Sequence, residues 1–173
     1  MTDFLKVDEV LQYLNLKKDM VAAEFGCGSA DFTIALAKIL NHGRVYAFDI
    51  QEEKLSALKT KLRLKHATNV SMVLCDLELP SASGLPDDSL NLVLIPSVLF
   101  QVENKYAILE EAKRILKSGG ELLVIDWFEH APFGPKEGAI SPDQLKKIIA
   151  PLGFSLKKEF TVADSHYALL FVK

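Results

Sequence analysis

Three short stretches hold residues whose types and spacing could do chemistry. The first is Glu24-Phe25-Gly26-Cys27-Gly28-Ser29-Ala30-Asp31, where an apolar run gives way to a helical pattern. Glycines at such a turn let the backbone bend sharply and let a ligand approach the main chain. The helix start beyond it offers unpaired N–H groups to negative or polar ligand atoms. The plainer alternative is a tight turn that needs glycine for its own geometry. Spacing discriminates between ligands. A dinucleotide fingerprint, G-x-G-x-x-G counted from Gly26, requires a third glycine at position 31, where Asp31 stands. Glu24, two places before Gly26, is instead typical of a different nucleotide-like ligand.

The second stretch ends at Asp49, 21 residues beyond Gly28. In doubly wound folds an acidic residue at that strand end accepts hydrogen bonds from ribose hydroxyls; the alternative is a cap for the helix that follows. The third is Leu74-Cys75-Asp76-Leu77-Glu78. Asp76 follows a third apolar run, so it faces the same carboxyl edge of the sheet as Gly26 and Asp49, the edge along which open α/β sheets bind ligands. A solvated loop residue is the plain reading.

The surrounding pattern supplies elements to position these groups. Val7 to Leu14 reads as a first helix, capped near Thr2 or Asp3, and Met20 to Phe25 as the first strand. Ala30 to Leu40 carries apolar residues at 32, 35, 36, 39 and 40, the stripe of a core-facing helix. Arg44–Asp49, Val70–Leu74, Leu90–Ile95 and Glu121–Asp126 read as further strands. Helices are expected at about Gln51–Lys65, Asn104–Lys117 and from Ser141 to Ala150. The last has Ser141 as N-cap, Pro142 at its first position and Gln144 as the other half of a capping box. Pro80–Asp88 and Ala131–Ala139 are loops. Lys117-Ser118-Gly119-Gly120 ends one helix, and strands at about Phe154–Phe160 and His166–Val172 close the chain. Five β-α steps followed by a hairpin imply one open, mostly parallel sheet with helices on both faces.

Composition narrows the classes. The chain has 173 residues, expected to form a single domain over 1–173. Its 49% hydrophobic and 25% charged residues exclude a disordered, collagen-like or disulfide-scaffold protein. With 20 basic and 23 acidic residues there is no global excess of the kind that marks a nucleic-acid binder. The basic stretch Lys54, Lys59, Lys61, Arg63 and Lys65 reads as a solvated helix face, with nucleic-acid contact as the alternative. Cys27 and Cys75 cannot alone make a four-thiol zinc site, so no metal is expected. No signal peptide or membrane span is legible, so a cytoplasmic location with both thiols reduced is expected.

Taken together the motifs resemble class I S-adenosylmethionine-dependent methyltransferases, over nearly the whole chain from about Val7 to Lys173. Glu24 to Gly28 resembles the family's first motif, Asp49 its ribose acid and Val73 to Leu77 its adenine-side segment. Leu90 to Leu99 resembles the fourth-strand motif, and Ile115 to Leu122 the L-K-P-G-G-x-L turn. The stretch from Asp126-Trp127 through Pro132-Phe133-Gly134-Pro135 to the Ser141-Pro142 helix is similar to a small bacterial and archaeal subgroup of generic methyltransferases. The resemblance implies a Rossmann-like seven-stranded sheet, order 3-2-1-4-5-7-6 with the last strand antiparallel, and S-adenosyl-L-methionine as cofactor. By the same resemblance Glu24 belongs to the cofactor site. Gly26, Cys27 and Gly28 would pass the methionine part, Asp49 would hold the ribose and Ile50 would pack on adenine. Asp76 would bond the adenine amino group beside the Leu77 amide. Ile95 and Pro96 would line the methionine side.

The chain departs from the family at four places. Ala30 replaces the third glycine of the loop, which a negative φ would tolerate. Asn91 replaces Asp and Ser118 replaces Pro, both expected to be structural. Phe100-Gln101 stands where many relatives place a His, so no general base is assigned and the catalytic residues are unknown. The two thiols also fall short of the set an arsenic methyltransferase needs. His130 and His166 are candidate polar groups near the substrate mouth, and Trp127, Phe128 and Phe133 candidate walls. The expected acceptor is an unidentified small molecule, with protein or RNA as alternatives and no membrane. The near-minimal size leaves the acceptor pocket open, or completed by a partner or a second copy in a homodimer. The rival readings are a non-catalytic cofactor-binding subunit and an NAD(P)-dependent oxidoreductase.

Overall fold

The computed structural model describes residues 6–173, so the caps proposed at Thr2 or Asp3 lie outside the described residues. Seven strands form one sheet in the order β3-β2-β1-β4-β5-β7-β6. They are β1 (Val21–Phe25), β2 (Arg44–Asp49), β3 (Val70–Leu74), β4 (Leu90–Pro96), β5 (Leu116–Trp127), β6 (Ser155–Val162) and β7 (His166–Val172). β1 to β5 pair in parallel, while β7 runs antiparallel to both β5 and β6. The expected order and orientation are therefore the observed ones.

Helices cover both faces because the central strands are apolar on both sides, as parallel strands must be. Ala23, Phe25, Val93, Ile95 and Val124 pack with α4 (Lys105–Ile115) and α5 (Pro142–Ile149). Ala22, Leu92, Leu94, Leu123 and Ile125 pack with α1 (Val7–Leu11) and α2 (Asp31–Ile39). Leu55, Leu58 and Leu62 of α3 (Glu52–Leu64) close on Cys27, Ala30 and Ala47. The Ser141 capping box is present: Gln144 N–H donates to Ser141 Oγ at 3.2 Å, and Ser141 N–H to Gln144 Oε1 at 2.7 Å.

Three local expectations change. α1 stops at Leu11, not Leu14, although Leu14 stays buried. α4 ends at Ile115, and β5 begins at once: Leu116 pairs with Leu90 and Glu121 with Leu92, so Lys117 to Gly120 bulge out of a strand instead of ending a helix. Strand pairing to β4 wins there over the turn propensity of Ser-Gly-Gly. The third β-α step has no helix. Its loop is fastened to α4 by Glu111, buried, which accepts from Ser83 N–H at 3.1 Å and from Arg114 Nη2 at 2.7 Å. Arg114 also donates to the Leu85 carbonyl at 2.9 Å. Burial pushes the Glu111 carboxyl up, but the Arg114 and Ser83 bonds outweigh it and leave it below its ordinary value.

Of the departures, Asn91 is structural: its Oδ1 accepts Val21 N–H at 2.9 Å and ties β4 to the start of β1. Ala30 is not where a negative φ would put it. Its φ is 71°, left-handed, as the N-cap of α2. The Ala30 N–H reaches the Cys27 carbonyl at 2.6 Å, and closing that tight turn imposes the conformation.

Candidate functional site

The chain crosses over on opposite sides of β1, between β2 and β4, and a cleft of about 600 Å³ opens at the carboxyl edge there. This is the switch point where doubly wound sheets hold ligands. Nine of the ten sequence-derived site residues line it: Glu24, Gly26, Cys27, Gly28, Asp49, Ile50, Asp76, Leu77 and Pro96. Ile95 does not. It is fully buried in the core beneath α4 and α5 and pairs with Val124, because strand side chains alternate and only its neighbour Pro96 turns to the cleft.

Each strand end delivers one acid. Asp49 bridges two backbone segments: Oδ2 accepts Gly28 N–H at 3.1 Å and Oδ1 accepts Gln51 N–H at 3.0 Å. The loop-holding and helix-start roles thus coincide in one side chain, beside the Cys27 thiol at 3.7 Å. Asp76 accepts Glu78 N–H at 2.9 Å, and Glu78 in turn accepts Asn104 N–H at 2.6 Å at the start of α4. Glu24, almost fully buried at 2% exposure, accepts a hydrogen bond from the Thr33 hydroxyl of α2. Burial dominates its titration and lifts its carboxyl to about 8; Asp31 and Asp49 add to the rise, and Thr33 opposes it. Burial likewise pushes the Cys27 thiol up to about 12 and the Cys75 thiol to about 11, so neither is an activated nucleophile.

Of the cleft's far wall the sequence reading found only Pro96 at the end of β4. The segment beyond it, with Ser97, Val98, Gln101 and Val102 lining the cleft, was missed. Ser97 N–H extends the pairing onto the Ile125 carbonyl at 2.7 Å, then its φ of 55° turns the chain into a short 3₁₀ turn, Leu99–Gln101. Val98 lies over Gly26, where an added Cβ would overlap Val98 Cγ2, and Gly26 has φ 77°. Gly26 therefore serves a close approach between two loops as well as a turn. No residue type in Pro96–Val102 announces this wall. The pattern i, i+2 through Glu24 would have signalled only that Glu24 points off the sheet.

The aromatic and histidine candidates fall elsewhere. His166 is buried against Trp127, ring centroids 3.9 Å apart, and burial lowers its imidazole to about 4. His130 and Phe133 are exposed, Phe128 packs on Tyr167, and none of these lines the cleft. Of the basic stretch, Lys54 lines the cleft and Lys61 donates to the Ser29 carbonyl at 2.7 Å.

A doubly wound sheet with acids at the ends of three successive strands and a glycine turn on the first has the arrangement with which α/β proteins bind nucleosides. The comparisons specify it further: the chain belongs to the class I S-adenosylmethionine-dependent methyltransferase family, whose methyltransferase-domain model matches residues 16–150. Its relatives include the demethylmenaquinone methyltransferase of Geobacillus stearothermophilus, 30% identical over 128 residues, which cover 73% of this chain and 53% of the relative. The Staphylococcus haemolyticus demethylmenaquinone methyltransferase is 34% identical over 120 residues, covering 68% and 47%. The chain spans about half the length of these curated relatives. Among solved structures, a SAM-dependent methyltransferase from Aquifex aeolicus superposes with TM-score 0.87 at 23% identity, covering 98% of this chain and 90% of the other. The [4+2]-cyclase SpnF superposes at 0.83 with 15% identity, covering 96% and 79%. Such likeness is one of fold, and the fold alone does not choose the reaction. Among the described residues no helix is long and apolar enough to cross a membrane.

Proposed function

We propose that this cleft binds S-adenosyl-L-methionine and that the chain transfers its methyl group to a small-molecule acceptor. The observation that carries the reading is the cleft's charge. Asp31, Asp49, Asp76 and Glu78 line it against a single cation, Lys54, while Glu24, raised to about 8, adds a largely protonated carboxyl at neutral pH. A ligand with a sulfonium and an ammonium suits that field, whereas the pyrophosphate of NAD(P) meets repulsion. Asp49 faces the ribose hydroxyls, and Asp76 accepts from the adenine amino group, with the Leu77 N–H beside it to donate to a ring nitrogen. Exposed Ile50 offers an apolar face to the base. The Gly26–Gly28 backbone passes the methionine moiety, with Glu24 at its cationic end and Pro96 opposite.

The sulfonium supplies an electrophilic methyl group, so no covalent enzyme intermediate is required. What the chain contributes is alignment of the acceptor with the C–S bond and exclusion of water. Val98, Val102 and Ile108 from the β4–α4 side and Phe32 from α2 add apolar lining to the cleft.

Calorimetric titration with S-adenosylmethionine, S-adenosylhomocysteine and NAD tests the cofactor; tighter NAD binding overturns it. Labelled methyl transfer into fractionated cell extract tests the rest. Label in a low-mass fraction is expected. Label in protein or RNA overturns the acceptor class, and tight cofactor binding with no label anywhere favours the non-catalytic subunit.

A further inference from the structure

The wall after β4 is held from behind by a residue that touches no part of the cleft. Asp126, next to last in β5, is completely buried. Its Oδ2 accepts Phe100 N–H at 3.1 Å and its Oδ1 accepts Trp127 N–H at 2.8 Å. Phe100 is the middle residue of the 3₁₀ turn whose flanks, Val98, Gln101 and Val102, face the cleft. The other side of the same residue is also fixed. The Phe100 carbonyl packs so closely on Gly138, at φ 86°, that any Cβ there would overlap it. Gln101 Nε2 closes the turn onto the Ser97 carbonyl at 2.7 Å. Phe100 is thus held on both flanking peptides, by β5 through its N–H and by the loop after β5 against its carbonyl, next to the Val98–Gly26 contact.

We infer that Asp126 is a positioning residue for the cofactor: its carboxylate fixes Phe100, and through Phe100 the Pro96–Val102 wall against the Gly26 loop. The inference rests on the cofactor reading above and extends it to a residue outside the cleft. A carboxylate holds backbone N–H groups more strongly than a neutral acid does. Burial raises Asp126 to about 6, while the Trp127, Phe100 and Leu99 backbone groups and the Lys105 charge on α4 pull it down. Across the β5–β7 pair stands Tyr167, whose buried hydroxyl has no hydrogen-bond partner among the described residues and whose own titration is raised by burial and then by Asp126 and Glu129. Lys105 and Tyr167 are the ionisable groups that bear on this carboxyl, and Glu129 acts on Tyr167. Of the three, none has an ordinary titration near pH 6.

The sign follows. Above about pH 6 the carboxylate is ionised and the wall is held; below it the neutral acid holds it less well. Because the folded-state value lies above the ordinary one, acidification favours the folded protein at this group, so the low-pH effect is a local loosening and not unfolding.

The test compares the wild type with Asp126→Asn, which has the shape of the neutral acid. Two measurements are made on the full chain: amide exchange over residues 97–102 without ligand, and calorimetric affinity for S-adenosylhomocysteine from about pH 5 to pH 8. At pH 8 the variant should exchange faster over 97–102 and bind roughly tenfold more weakly. Wild-type affinity should fall to the variant's level as pH drops through about 6. Glu24 titrates in both proteins, so the difference between the two profiles is the readout. Gly138→Ala, which displaces Phe100 through its carbonyl without touching the charge, should weaken binding and leave the Asp126 pH step in place. Equal affinity of wild type and Asp126→Asn at pH 8, or a wild-type profile flat through pH 6, overturns the inference while the cofactor reading stands. Absence of wild-type binding at every pH overturns the cofactor reading, and this role with it. If Asp126→Asn fails to fold, the wild-type profile alone decides.

Discussion

The carboxyl edge of the sheet divides at β1 into two halves that use acidic residues in opposite ways. On the β1-β2-β3 side, Glu24, Asp49 and Asp76 end their strands with carboxyl groups that line the cleft. On the β4-β5-β7 side the one strand-end acid, Asp126, is buried behind the wall and binds backbone. One half offers charge to a ligand, and the other uses charge to hold main chain. The same residue type at the same edge is therefore not one signal. What separates the two is whether a neighbouring segment covers the strand end: the 3₁₀ turn after β4 lies over the end of β5 and takes Asp126, whereas the end of β2 stays open to the cleft.

Substitution at the seam between the halves should have the largest effect. Gly26→Val puts a branched side chain into Val98 at a left-handed φ. S-adenosylhomocysteine binding should drop by more than about 100-fold, with the far-ultraviolet circular dichroism unchanged. If the obstacle is Val98, Gly26→Ala should bind better in a Val98→Ala background than alone. No recovery would assign the defect to backbone strain only.

Next comes Asp49, where the ligand-facing half can be separated from a purely structural role. Losing a charged acceptor for the ribose hydroxyls should cost on the order of 10- to 100-fold in affinity. Asp49→Asn keeps an oxygen for Gly28 or Gln51, so its melting temperature should stay closer to wild type than that of Asp49→Ala. An Asn variant that binds as tightly as wild type would confine Asp49 to holding the loop.

Glu24 sharpens the contrast through pH. Its folded-state value of about 8 lies above the ordinary 4.5, so its stabilising contribution is full below pH 4.5 and lost as pH rises through 8. Glu24→Gln removes that titration. The melting temperature of the ligand-free wild type should therefore fall relative to Glu24→Gln between pH 5 and 9. Parallel curves would show that Glu24 is ionised in the folded protein. The smallest effect is expected at Ala30, where φ is 71°. Ala30→Gly should relieve left-handed strain and stabilise by about 1 kcal/mol with affinity little changed, measured by denaturant midpoint.

Much of this was readable in the residue order. Periodicity placed the strands and most helices, and the ends of the first three strands gave Glu24, Asp49 and Asp76, because those acids follow their own apolar runs within a few residues. The loop between β3 and β4 was legible from its Ser, Gly, Pro and Asp content, yet the Glu111–Arg114–Ser83 fastening was not, since its members are 28 residues apart. Ile95 shows the opposite error. Motif position assigned it to the cleft, and strand alternation turned it into the core.

By itself, then, the sequence determined the β-α alternation, the glycine turn with its missing third glycine, the family and the acids of one half-edge. All of these are local: each depends on neighbours within one strand, turn or helix, and so leaves a pattern in consecutive residues. Tertiary structure alone decided the other half: that Val98 presses on Gly26, that Gly138 admits the Phe100 carbonyl, and that Asp126 faces Phe100 and not the ligand. Those contacts join segments 26 to 72 residues apart in the chain. They arise only when parallel pairing of β1, β4 and β5 brings their ends together, and no spacing along a single element records that meeting.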